Sequence, residues 1–217
     1  VISGIELDAR FSINKSVRFT LQGKIPRRES TVNIKGNYYL ESGKLSARIM
    51  AERIALAQYL SLVSSPPAEL RPPGDIHFQD GILTSLDLNL NWERNGMQAQ
   101  GSAAVDKMDV ELAGGTKVAA SARASDVSLT HQNKRWTASG RLESDSTLVT
   151  FAQGRSFTGK ISAEIKSLDI SPRGTSAQGG LVLQETRVVT GENKGVRAQV
   201  LRADNIVMRN DERGIRL

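Results

Sequence analysis

The chain has 217 residues, of which 39% are hydrophobic but only 5% aromatic, and it holds 19 glycines, so large apolar groups are scarce and a thick, dense core is not expected. Its 29 Lys and Arg against 23 Asp and Glu leave a formal charge of +6, which suits anionic partners (nucleic acid, phospholipid headgroups or acidic glycolipid) or serves solubility alone; the lack of cysteine excludes disulfide frameworks and thiolate metal sites. No apolar run reaches the roughly 20 residues of a membrane-spanning helix. No leader-like segment opens the chain, so it reads as a piece of a longer protein with any anchor elsewhere.

In chain order, alternation with a period of two dominates, the mark of half-buried strands. Ile5, Leu7, Ala9, Phe11 and Ile13 form one series, and Val17, Phe19, Leu21, Gly23 and Ile25 the next. Val32 to Leu40 and Leu45 to Ala51 follow. Residues 54–63 (IALAQYLSLV) break the rule: Leu56, Tyr59, Leu60 and Val63 recur at helical spacing, which predicts one short helix, ended by Pro66-Pro67. The proline-rich stretch 64–75 marks a candidate internal break within a single β unit spanning 1–217. Leu86, Leu88, Leu90 and Trp92 then alternate with polar residues, Asn95-Gly96 predicts a hairpin turn, and Met97, Ala99, Gly101, Ala103 and Val105 return. Short strands are expected onward, among them 110–112, 118–124, 127–130, 136–142, 148–151 and 157–165. A weak repeat runs through them. Ala51-x-x-Ile54-x-Leu56, Ala124-x-x-Val127-x-Leu129 and Ala203-x-x-Ile206-x-Met208 share one pattern, and Ser85-Leu86-Asp87-Leu88 and Ser167-Leu168-Asp169-Ile170 another.

Catalytic signatures are missing. His77 and His131 are the only histidines, and neither has a second histidine at ligand spacing. No nucleophile elbow, P-loop or dinucleotide fingerprint occurs, and Gly114-Gly115-Thr116-Lys117 reads as a turn. An enzyme is therefore not expected, nor is any cofactor. Nucleic-acid binding would need stacking aromatics or a reading helix, and neither pattern is present.

The apolar faces are informative instead. Large residues on one strand (Leu86, Leu88, Leu90, Trp92) meet small ones on the next (Ala99, Gly101, Ala103), and Val118, Ala120, Ala122 and Ala124 form a further small stripe. Tight sheet packing explains such pairing. So does a long sheet curled around a space that acyl chains would fill. The arrays LSARIMAERIALAQYLSL, VAASARASDVSL and ISAEIKSLDI resemble the AsmA-like superfamily, which includes TamB and YhdP. That resemblance implies an elongated, curved antiparallel sheet, a repeating β-groove with an apolar inner face. It also implies a periplasmic place, an inner-membrane anchor in parts outside this chain, and a role in moving phospholipid between membranes or in outer-membrane assembly with other proteins. The expected lining residues are Leu86, Leu88, Leu90, Val127, Leu129, Ile161 and Ile165, with phospholipid or another envelope lipid as partner. The alternative is a structural or adhesive β-solenoid or sandwich that binds protein or glycan and keeps a dry core.

Overall fold

The computed structural model describes residues 3–12, 15–25, 30–56, 77–112, 114–151, 154–172, 174–190, 195–211 and 214–216. They form one open antiparallel sheet, as the alternation requires. Four strands of 9 or 10 residues come first: β1 (Ser3–Ser12), β2 (Ser16–Ile25), β3 (Ser30–Tyr39) and β4 (Lys44–Glu52). After the two-residue β5 (Ile54–Ala55), the strands lengthen to 16 or 17 residues: β6 (His77–Glu93), β7 (Gly96–Leu112), β8 (Thr116–Gln132), β9 (Arg135–Thr150), β10 (Ser156–Ser171), β11 (Gly174–Val189) and β12 (Gly195–Asp211). A short β13 (Gly214–Arg216) edges β12. The order is a plain meander, with β4 paired to β6 and β5 lying beside β6.

Two expectations are corrected. Ile54 and Ala55 pair with Leu83 and Ile82 as strand, not helix; the rest of the expected helix beyond Leu56, and the whole proline-rich 64–75 stretch, lie outside the described residues. The short strands expected in the second half are halves of long ones. Expected strands 118–124 and 127–130, for example, are both part of β8. The apparent breaks are β-bulges, where one extra residue shifts the parity of the alternation without ending the strand.

The bulges fall in two lines. On even strands they sit at Asp126 and Asn205, with φ of 52° and 57°, and at Lys166, where the β9 and β11 registers both skip. Odd strands bulge further along, at Lys107 and Glu185, both with φ of 52°, and at Asp145. The repeated Ala-x-x-[Ile/Val] pattern thereby gains a physical meaning. Its third residue, Arg53, Asp126 or Asn205, is in the left-handed region each time. Each bulge bends its strand and sharpens the local twist.

Long-range contact runs almost entirely between sheet neighbours, so the described residues form a single layer. The accessible surface is 15340 Å², against about 9,800 Å² for a compact chain of this mass. Among the described residues, only Ala47, Ala51, Ala55 and Val110 of the hydrophobic side chains are buried. Stability must come from strand pairing and same-face neighbours rather than from a two-layer core.

Glycines make that pairing possible. A Cβ on Gly101 would lie 1.9 Å from the Asp87 carbonyl oxygen, and one on Gly179 2.1 Å from that of Glu164. Gly101→Ala and Gly179→Ala should each cost about 2 kcal/mol or more, because backbone must move. Gly180→Ala, whose Cβ would meet Ala203 O at 3.5 Å, should stay within about 0.5 kcal/mol. Urea unfolding midpoints check the contrast. Lys107→Gly should stabilise by about 0.5–1 kcal/mol, since glycine adopts the positive φ without steric cost.

Candidate functional site: the apolar face of the sheet

Directly opposed residues of an antiparallel pair share a face. Following the register across the sheet therefore assembles one face row by row. One row reads Leu90, Ala99, Leu129, Ala138, Leu168, Ala177, Met208 from β6 to β12. In the next, Leu88 opposes Gly101, Gly101 opposes Val127, Gly140 lies beside Val127 and opposes Ile165, and Gly179 sits between Ile165 and Ile206. Large and small alternate strand by strand in both. A third row (Leu86, Ala103, Ala124, Leu142, Ala163, Leu181, Ala203) inverts the phase from β8 onward. Large side chains of one strand thus have room over the small ones of its neighbours. The N-terminal strands extend the surface, with the Phe19 ring against Gly36 and Ile34 opposite Ile49.

Every expected lining residue lies on this one face. Leu86, Leu88 and Leu90 come from β6, Val127 and Leu129 from β8, and Ile161 and Ile165 from β10. All are half-buried except Ile165, which is exposed. No second layer of described residues covers them. Leu142, Ile170, Val188, Leu201 and Met208 on the same face are likewise exposed.

The small stripe Ala99, Gly101, Ala103 was expected from the sequence, but not that it repeats on the odd strands. Ala99-x-Gly101-x-Ala103, Ala138-x-Gly140-x-Leu142 and Ala177-x-Gly179-x-Leu181 recur about every 39 residues. They are the sockets for the Ala-x-x-[Ile/Val]-x-[Leu/Met] knobs. Also missed was polar matter on the face. Ser144, Thr147 and Thr186 are buried there, beyond the third row, and Thr147 Oγ1 donates to Ser144 Oγ at 2.7 Å. Thr186 Oγ1 is buried with no hydrogen-bond partner.

The opposite face is polar and cross-linked by ion pairs. Arg48 grips Asp87 with Nε–Oδ1 at 2.8 Å and Nη2–Oδ2 at 2.6 Å. Arg135 holds Asp169 through one oxygen instead, with Nε and Nη2 both donating to Oδ2 and Nε–Oδ2 at 2.8 Å. The two Ser-Leu-Asp repeats thus place Leu on the apolar face and Asp on the charged one. Lys160 pairs with Glu185 at 2.7 Å and Lys44 with Glu93 at 2.8 Å. Shallow depressions open mainly on this side, one of them among Arg18, Lys35, Asn37, Arg48 and Asn89. His131 stacks on Trp136, ring centroids 4.3 Å apart. Among the described residues no cluster of His, Asp or Glu could hold a metal, and no helix is long and apolar enough to cross a membrane.

No family model, no curated protein and no solved structure matches the chain.

Hydrogen bonds from Arg48 hold the Asp87 carboxyl below the usual carboxylate range, and those from Arg135 do the same for Asp169. A carboxyl depressed in the folded state stabilises above its unfolded pKa of about 3.9 and loses that contribution as pH falls through the folded value. Asp87→Asn should therefore be less stable than the parent at neutral pH, with the gap closing as the pH drops below about 4. Urea midpoints across pH 2–7 measure it, and both groups are exposed, so the gap is small.

Proposed function

We propose that this chain is a non-enzymatic segment of a cell-envelope protein whose apolar sheet face binds lipid acyl chains and conducts them between inner and outer membranes. The observation that carries the reading is the continuous apolar face from β2 to β12 that no other layer of described residues covers. Contiguous exposed apolar surface of this extent marks a contact with a partner, a ligand or a membrane. An elongated face of uniform chemistry fits an occupant that is itself long and uniform. An acyl chain of ~14 methylenes with about half its surface covered gains roughly 5–6 kcal/mol, enough to hold a lipid and weak enough to let it move. Conduction needs no reacting group; it needs rows of similar depth at every strand, and the alternating rows supply them. The resemblance to AsmA-like proteins points the same way. It implies a periplasmic setting and outer-membrane assembly proteins as partners.

Phospholipid should be recovered by mass spectrometry from organic extracts of the purified protein. Leu88→Asp, in the middle of the face, should remove most of it, whereas Asn89→Asp, one residue away on the polar face, should leave it unchanged. Lipid retained by a Leu88→Asp variant with unaltered β circular dichroism would contradict the reading. Lipid-free parent protein would favour the structural or adhesive alternative.

A further inference from the structure

The margins of the apolar face differ. One margin carries the turns after β3, β6, β8 and β10, and there every described Tyr and Trp is found. Tyr38 and Tyr39 end β3, Trp92 is next to last in β6, and Trp136 is second in β9. The opposed row Tyr38, Leu45, Trp92, Met97, His131, Trp136, Ile170 is this margin's outermost on the apolar face. Trp92 is 59% exposed and Tyr38 39%. At the far margin the corresponding row is Val110, Val118, Val149, Phe157, Val188 and Val196, with no Tyr or Trp. Tyr and Trp join an apolar ring to a polar group and collect where one side is greasy and the other wet. Cationic groups for a phosphate are at hand there: Arg94 and Lys134, in the turns next to Trp92 and Trp136, are exposed and form no ion pair among the described residues. Arg155 and Arg197 at the far margin equally form no ion pair among the described residues, so it is the aromatic row that distinguishes the two.

Depth agrees as well. From Trp136 through Ala138 and Gly140 to Leu142 the face is apolar over about 20 Å, at ~3.3 Å per residue. Beyond it come the buried hydroxyls of Ser144, Thr147 and Thr186. One leaflet of hydrocarbon is about 15 Å deep. The panel from the aromatic margin to Leu142 is therefore about one acyl chain long; beyond it the buried hydroxyls interrupt β9 and β11, while Ile161, Leu183 and Leu201, in the row of Ser144, continue the apolar face.

Resting on the lipid-binding reading, we infer that bound phospholipids lie with their tails along the strands and their phosphate headgroups at the Tyr38–Trp92–Trp136 margin, beside Arg94 and Lys134. Each tail runs inward over the rows of Leu90, Leu88 and Leu86 and their equivalents. Lipids move from strand pair to strand pair with the headgroup following the aromatic edge.

Trp92 and Trp136 are the only tryptophans in the chain, so its own fluorescence reports the orientation. The full chain is titrated with phospholipid vesicles spin-labelled either near the headgroup or at the tail end. Trp92→Phe and Trp136→Phe variants let each indole be read alone. Quenching by the headgroup-proximal label should be at least about twofold stronger for both, since the labels sit roughly 15 Å apart. Equal or stronger quenching from the tail-end label overturns the orientation while leaving acyl binding in place. No quenching with either label overturns the orientation and the lipid-binding reading together.

Discussion

Val127 and Ile165 each sit next to a glycine on a neighbouring strand, and Gly101 and Gly179 admit no Cβ without backbone movement. The rest of the molecule depends on that close approach. A single-layer sheet has no facing layer to pack against, so side chains must find contacts sideways, across strands. Uniformly large rows would crowd and splay the strands; uniformly small rows would bury too little. Alternation of the two, with the phase changing between rows, lets half-buried Leu, Ile and Val cover their small neighbours. Each strand pair then contacts only the pairs beside it, which gives a repeat-like, nearly one-dimensional stability. The ion pairs of the polar face add register and solubility more than energy, since their side chains are largely exposed, Asp169 excepted.

The all-β class and the sharing of one face by residues two apart were legible because alternation survives within each strand segment. Leu86, Leu88 and Leu90 fall on one face with no bulge between them, and counting by two is sufficient. Strand length was not legible. A residue such as Asp126 or Lys107 in a left-handed conformation inserts one position and turns the alternation out of phase, which on paper looks the same as a strand ending. The motif around Ala124 and Val127 was visible as text, yet its meaning as a bulge required the backbone. The glycine sockets were hidden for another reason: glycine reads as a turn or a weak point of a strand until its cross-strand partner is known. The aromatic margin was hidden because Trp92 and Trp136, far apart in sequence, meet in one row only through His131 and Met97.

This architecture links fold to proposed function through what it omits. Open twisted sheets of more than about ten strands ordinarily curl, split or acquire a covering layer. Here the described strands stay in one layer and keep an apolar side ten strands wide, from β2 to β12, with bulge lines at two depths. Such a side is a liability unless something amphiphilic occupies it. A lipid meets the requirement without demanding any shape-specific pocket, which is consistent with shallow depressions that favour the other, polar face.

The most direct test uses the absence of native cysteine. A single cysteine is introduced at Leu88 and, separately, at Asn89, and each is labelled with a maleimide before and after adding phospholipid vesicles to delipidated protein. The account predicts that Leu88→Cys reacts readily without lipid and is protected by it, while Asn89→Cys reacts alike in both. A Leu88→Cys thiol that stays unreactive without lipid, or that lipid fails to protect, would contradict an open apolar face meant for acyl chains.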